Sequence, residues 1–403
     1  MTIFIIAFAC EPNRTSEPGV GWNVAREMAS RHDVTVITRA NNRDVIESVG
    51  GIKNVKWIYF DLAGWFCKLK KRIPYGSQIY QELWNKTVAR RFRKEIEASD
   101  IVHQLTFGAA FFTPWAARYA KKFVWGPLGG GDKPIPFSFM RRMDCLSFVR
   151  EFIYGFISRA ACRGNLWARR LRSKVDAIIF RTREFSKRMK CREGVDISIV
   201  GETAYTEPIV PRKYDMSQRP LRVMIVGRLI PHKAVDFALQ AFVRFVSDGG
   251  DGELTVCGSG PLETKMRRIA QKAKLDAKVR FLGQVEHGKV IAELRRSDVL
   301  LHLSFREGGS WSILEAMAHG LPVICQKASG MDDMVGDDCG GKIAVVTPDG
   351  LIADAAHCLM EYYGNRDLIR RHGLAAQKRV DEVFRWKNIV DVIDGVYGRV
   401  ISR

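Results

Sequence analysis

The chain has 403 residues, of which 46 % are hydrophobic and 27 % charged, and it carries a formal net charge of +20. That length exceeds one ordinary core and suits two domains of about 150–200 residues; the composition excludes low-complexity and solenoid chains, and no uncharged run reaches the ~20 residues that a spanning helix needs. The charge is uneven, with +15 in residues 1–210 and +5 in the rest, which points to an anionic partner: membrane lipid, nucleic acid or a phosphorylated substrate.

The opening MTIFIIAFAC has no basic residue before a short apolar run, so it reads as a buried first strand rather than a signal peptide. Strands are then predicted at 3–8, 34–38, 55–60, 101–104, 123–125, 177–180 and 197–200, with amphipathic segments between them. Residues 201–220 hold three prolines and no sustained period, which marks a boundary: a first domain over 1–205, a linker over 206–220 and a second domain over 221–384. A second strand series follows at 221–227, 254–258, 279–282, 299–303, 322–325 and 342–345, and residues 386–401 carry an apolar stripe at helical spacing. Such alternation predicts an α/β protein of two doubly wound, Rossmann-like domains facing a central cleft, with ligands at the carboxyl ends of the strands. The nine cysteines include no CxxC pair, which suggests reduced thiols in a cytosolic protein, without a disulfide frame or a zinc site.

The loops that follow strands hold the candidate residues. In SFREGGSWSILEAMAHGLPVI, residues 304–324, Gly308, Gly309 and Ser310 lead into a helix N-terminus, where N–H groups and the dipole favour a phosphate. Glu307 and Glu315 flank that turn; carboxylates accept hydrogen bonds from sugar hydroxyls, although Glu315 also completes a capping box with Ser312, and Glu307 also fits a solvated loop. Gly227 ends a strand, and Arg228 and Lys233 follow it: a clamp for a diphosphate or, alternatively, two surface cations. Gly258-Ser-Gly260-Pro fits a structural turn and a base-binding one equally. His103 ends a strand either as a hydrogen-bonded core histidine or as a contact to a sugar near its reacting carbon, and Gly129, Gly130 and Gly131 form either an acceptor-side loop or a flexible turn.

GRLIPHK, LTVCGSGPLE, VRFLGQV and REGGSWSILEAMAHGLPVI, with SEPGVGWN, DIVHQLTFG and VWGPLGGG, resemble the retaining nucleotide-sugar glycosyltransferases of family 4, of GT-B fold, and in particular members acting in bacterial polysaccharide assembly. The resemblance implies that Glu307 contacts the donor sugar, that Gly308 to Ser310 meet its diphosphate through N–H groups, that Glu315 holds the ribose and that Arg228 and Lys233 neutralise the departing diphosphate. It also implies that backbone at Gln284 and Val285 faces the base, that the Gly19-Val-Gly21 loop closes on the phosphates and that a C-terminal helix, residues 385–403, crosses back to the first domain. Two departures stand out: Ala234 occupies the place after the lysine where the family often has glycine, and the first loop reads NRTSEPGVG.

The implied reaction moves a hexose from a nucleotide-diphosphate sugar to an acceptor hydroxyl, on a lipid-linked saccharide, with retention by front-face attack. No Asp-x-Asp follows a strand, so no metal and no cofactor beyond the donor are expected. A nucleotide-sugar epimerase of the same architecture is the alternative, and a basic nucleic-acid binder a weaker one, since no recognition helix or aromatic RNA signature is present. Residues 336–342 fit the start of a Walker A loop, but Ile343 replaces its Ser or Thr. Arg141, Arg142, Arg150, Arg159, Arg163, Arg169, Arg170, Arg172 and Lys174 among Phe148, Phe152, Phe156 and Trp167 suggest a basic amphipathic helix on anionic lipid, or else an ordinary core-facing stripe; the first places the protein in the cytoplasm, peripheral to the membrane.

Overall fold

The computed structural model describes residues 1–14, 16–64, 66, 76–164, 166–344 and 346–403, without the side chains of Leu166 and Trp167. Cys67, Val345 and the Trp167 side chain therefore lie outside the described residues. The chain divides into two units. Unit 1 comprises Met1–Asp132, Phe156–Thr203 and Trp386–Arg403; unit 2 comprises Lys133–Gly155 and Ala204–Arg385.

Unit 1 is built on seven strands: β1 (Thr2–Ile6), β2 (Asp33–Thr38), β3 (Val55–Tyr59), β4 (Ile101–Gln104), β5 (Phe123–Leu128), β6 (Ala177–Phe180) and β7 (Asp196–Ile199). They pair in parallel in the order β3-β2-β1-β4-β5-β6-β7. The central strands are apolar and buried because helices cover both faces of a parallel sheet. The helix Trp386–Ile401 buries Ile389, Val390, Ile393, Val396 and Val400 in this unit, and Arg399 grips Asp196 at the start of β7 through bonds of 2.8 and 3.0 Å.

Unit 2 repeats the plan with β8 (Leu221–Val226), β9 (Gly252–Cys257), β10 (Val279–Gly283), β11 (Val299–His302), β12 (Val323–Gln326) and β13 (Gly340–Ile343), in the parallel order β10-β9-β8-β11-β12-β13. The two orders are the same, position for position, apart from the extra edge strand β7. Both sheets are Rossmann-like, and all thirteen strands fall where the hydrophobic pattern places them, to within a few residues.

One stretch departs from a first domain that is continuous over 1–205: residues 133–155 pack in unit 2. Their apolar residues decide this. Ile135, Phe139 and Met140 are buried in the core of unit 2, where the Phe139 ring meets Phe237 and Phe305 edge-on at 5.5 and 4.9 Å. The helix Cys145–Arg163 also differs from its expected stripe. Phe148 packs against the unit 2 core, while Leu146, Val149, Phe152, Ile153, Phe156 and Ile157 are exposed. The inward face of that helix holds Glu151 and Ser158, so its polarity is inverted relative to an ordinary surface helix. No described helix is long and apolar enough to cross a membrane.

Truncating Phe139 to alanine removes a fully buried ring and is expected to destabilise unit 2 by about 3–5 kcal/mol. Hydrogen exchange followed by mass spectrometry should show protection lost around Phe237 and Phe305, with β1 and β4 unchanged; equal loss in both units would refute this assignment of residues 133–155.

Candidate functional site

Strand order reverses between β1 and β4 and again between β8 and β11. Open α/β sheets leave a crevice beyond the carboxyl ends of strands at such a switch point. In unit 2 the loops there are the one after β8, with Gly227, Arg228 and the 3₁₀ turn Pro231–Lys233, and the one after β11, with Glu307 to Ser310. Gly227 takes a φ of 137°, which needs glycine. Ala234 adopts φ 49°, a left-handed conformation that explains why glycine is favoured after the lysine.

The two loops are joined by charge. The Glu307 carboxylate is buried and accepts from Lys233 Nζ and from His302 Nε2, the latter at 2.9 Å. Burial opposes its ionisation, but the two donors outweigh burial and hold the carboxyl down at about 2. The main chain reinforces the link: Phe305 N donates to His232 O at 2.9 Å, and Ser304 Oγ donates to the same oxygen at 3.1 Å. Behind the loop, Gly330 N donates to Glu307 O at 2.7 Å, and a Cβ on Gly330 would meet Gly308 O. Arg228 is exposed and makes no side-chain hydrogen bond or ion pair among the described residues. His232 is pushed down to about 4, first by burial and then by Arg306, Lys233 and Arg228, which records how densely cations gather here.

Gly308 and Gly309 are part-exposed ahead of the helix Trp311–Ala318. Ser310 corrects the expectation that its N–H meets a phosphate: that N–H donates to Met334 Sδ at 3.3 Å, and the Ser310 hydroxyl pairs with Ser312 Oγ. The capping box is also absent, since Ser310 is the N-cap and Ser312 lies inside the helix. Glu315 instead forms a 2.7 Å hydrogen bond with His287 Nε2, and burial raises its pKa. Gln284 and Val285 follow β10 directly. Gly258 and Gly260 serve packing, because side chains there would overlap the main chain of Gly227 and Leu229, which is hydrogen-bonded to the β9 loop through Gly227 N to Cys257 O and Leu229 N to Ser259 O, both 2.9 Å.

Unit 1 corrects two expectations. His103 is fully buried: Nε2–H donates to Gly126 O at 2.7 Å, and Nδ1 accepts from the Tyr397 hydroxyl at 2.6 Å. Both ring nitrogens are occupied, so His103 is a core histidine and has no atom left for a sugar. Gly19 and Gly21 lie not in a loop but in the helix Ser16–Ala29, where side chains would strike Arg14 O and Ala9 O. Gly129 and Gly130 line a cavity of about 440 Å³ with Phe8, Tyr80, Phe107 and Phe111, beyond the carboxyl ends of β1, β4 and β5. Gly131 is instead packed against the Phe185 ring. Arg181, also at this cavity, is paired with Glu17 and, at 2.5 Å, with Glu202.

Sequence reading missed His302, His287 and Arg306. Arg306 bonds Glu151 at 2.8 Å and lies over the Tyr154 ring at 3.8 Å, anchoring the loop residue next to Glu307. A histidine ending the apolar run VLLH just before the glutamate is the one signal that marked His302.

Residues 208–379 match the family model described as glycosyl transferases group 1. An uncharacterized glycosyltransferase of Methanocaldococcus jannaschii is 27 % identical over 184 residues, 45 % of this chain and 46 % of that protein. The GDP-mannose-dependent alpha-mannosyltransferase of Mycolicibacterium smegmatis is 28 % identical over 273 residues, 64 % of this chain and 66 % of that one. The chain thus spans about half the length of the first curated relatives it matches. Among solved structures, the apo lipopolysaccharide outer core galactosyltransferase WaaB aligns with a TM-score of 0.65 at 14 % identity, covering 99 % of each chain, and shares the GT-B fold.

His103 generates a pH prediction. Burial lowers its pKa from 6.5 to about 4, so below pH 6.5 the unfolded chain binds a proton that the folded chain refuses. Stability from this residue is therefore complete above pH 6.5 and falls as pH drops towards 4, by up to about 1.4 kcal/mol per unit. Denaturant unfolding of the His103→Gln variant, which keeps a donor and an acceptor but does not titrate, should show a slope shallower by one proton across that window; an unchanged slope would mean that His103 is not held neutral.

Proposed function

Because residues 208–379 match the model of the glycosyl transferases group 1, we propose that the protein is a retaining hexosyltransferase that moves a hexose from a nucleotide-diphosphate sugar to a hydroxyl of a lipid-linked saccharide. The observation that carries this reading is the Lys233–Glu307–His302 cluster at the unit 2 switch point. A carboxylate held ionised by two donors is a poor nucleophile and a good acceptor for sugar hydroxyls. Lys233 uses one of its three N–H groups on Glu307 and keeps two for phosphate oxygens; Arg228 adds a second cation, and Gly308 and Gly309 add main-chain donors.

In the proposed reaction the C1–O bond to the diphosphate breaks, and the electron pair leaves with the phosphate. The acceptor oxygen bonds C1 on the same face, and its proton passes to the departing phosphate oxygen. Stabilising that leaving group and aligning the acceptor supply the catalysis, without a metal. Glu315, whose partner His287 lies two residues after Val285, forms with Gln284 and Val285 the proposed nucleoside end. The aromatic cavity at Gly129 and Gly130 is the proposed acceptor end, since sugar faces stack on aromatic rings. The family match, which is to transferases, leaves the epimerase alternative unfavoured.

The inverted helix supports a membrane-bound acceptor. Its exposed face of Leu146, Val149, Ile153 and Phe156 is accompanied by the exposed cations Arg141, Arg150, Arg159 and Arg163, a combination that suits anionic lipid. Arg142 contributes less, because Asp349 already engages it at 2.6 Å.

Two measurements test the proposal. Calorimetry against UDP, GDP and ADP should find one diphosphate that binds with or without EDTA and that loses affinity in Glu315→Ala, while product analysis with its sugar should show retention and a kcat about 10²–10³ lower in Lys233→Ala. Inversion, or activity abolished by EDTA, would refute the scheme. In the second, Ile153→Asp with Phe156→Asp should abolish sedimentation with phosphatidylglycerol vesicles without changing diphosphate affinity; undiminished sedimentation would remove this face from the proposal.

A further inference from the structure

Unit 1 holds a cavity of about 790 Å³ that the proposed transfer does not use. Its walls come from the end of the helix Cys145–Arg163, from Arg169 to Ser173, from Ile178 of β6 and from residues 188–192. Residues 169–173 lead into β6 and residues 188–192 towards β7, so the cavity lies by the amino ends of these strands. The donor and acceptor residues proposed above follow the carboxyl ends.

Every charged residue among its described lining is basic. Residues 159–192 together hold twelve lysines and arginines against two acids, and one of these, Asp176, is already committed to Phe123 N at 2.7 Å. The side chains of Arg159, Arg163, Lys190 and Arg192 make no hydrogen bond or ion pair among the described residues. Arg172 is 9 % exposed, yet it faces no carboxylate. It donates only to main-chain oxygens, those of Cys162 at 3.2 Å, Ala161 at 3.1 Å and Ala110, and its Nε has no partner. Arg188 likewise donates to Gly131 O and to Ser158 Oγ, the latter at 3.3 Å. Carbonyl oxygens hold these guanidinium groups in place without neutralising them. A buried charge without a counter-charge is costly, and a bound anion removes that cost.

We infer that this cavity binds a phosphate-bearing ligand of more than one negative charge, a phosphomonoester or diphosphate group, at a site separate from that of the donor. Planar guanidinium forks suit phosphate oxygens, and several that converge suit a multiply charged group better than a single carboxylate. Ile178 and Met189 add apolar wall beside the cations, so the group can come from a soluble diphosphate or from the head of a lipid.

Cys162 and Cys191 line the cavity and are half-buried, so in the Ile153→Asp, Phe156→Asp protein, whose exposed helix face no longer docks on vesicles, their alkylation by N-ethylmaleimide, read peptide by peptide in a mass spectrometer, reports occupancy of this site. Inorganic pyrophosphate is one probe; phosphatidylcholine vesicles containing phosphatidic acid are the other, with phosphatidylglycerol vesicles as the control. One probe should slow modification of both thiols about tenfold, and Arg163→Ala with Arg192→Ala should raise the concentration needed by roughly tenfold or more, as expected for lost charge-assisted hydrogen bonds. Protection by pyrophosphate identifies a soluble ligand; protection by phosphatidic acid alone identifies a lipid head group. Arg228→Ala with Lys233→Ala should leave the protection intact, which separates this site from the donor reading. Protection by neither probe, equal protection by phosphatidylglycerol, or protection unchanged both in the first double variant and in Arg159→Ala with Lys190→Ala would overturn the inference.

Discussion

A buried carboxylate holds the unit 2 site together. Glu307 stands on the loop after β11, and Lys233 stands on the turn after β8; these are neighbouring strands of the sheet, yet the two residues are 74 positions apart in sequence. Each charge makes the other's burial tolerable, and His302 supplies the remaining hydrogen bond. Gly308 and Gly309 follow Glu307 directly and Arg228 lies five residues before Lys233, so that link ties together the two loops that carry them. The same interaction gives the site its electrostatic character: one fixed anion, embedded among cations that add to the effect of burial in lowering the pKa of His232.

Close backbone approach is the second constraint. Gly258 and Gly260 bring the loop after β9 against Gly227 and Leu229, and Gly330 brings the segment after β12 against Glu307 and Gly308. These glycines are stacking surfaces between loops. They hold the loops after β8 and β11 against their neighbours by close main-chain contact.

Charge in unit 1 follows a different logic. Arg181 is neutralised by Glu17 and Glu202 at the aromatic cavity, so that region is polar without being strongly cationic. Among the described residues, a group of cations without carboxylate partners gathers at the other end of the sheet, around Arg172 and Arg188. Residues 159–192 alone carry twelve lysines and arginines against two acids, and the exposed apolar face of the helix Cys145–Arg163 runs up to this region through Phe156 and Ile157.

Local pattern was sufficient for the strands, the doubly wound class, the loops that carry Arg228, Lys233 and Glu307 and the helix that carries Glu315, because hydrophobic periodicity and glycine-rich turns are written into consecutive residues. What periodicity does not encode is partnership between distant segments. Whether His103 faces a crevice or the core depended on Tyr397, which lies 294 residues away, and on the carbonyl of Gly126. Whether Gly19 and Gly21 form a loop depended on main-chain atoms of Arg14 and Ala9. The membership of residues 133–155 in unit 2 was set by pockets for Phe139 that Phe237 and Phe305 create, and the inverted face of the helix that follows was set by Arg306 reaching Glu151. Sequence alone thus determined which elements form and which loops follow the carboxyl ends of the strands; only tertiary structure decided which polar groups are already satisfied, since a hydrogen bond or a buried ion pair exists only when both partners are brought within reach.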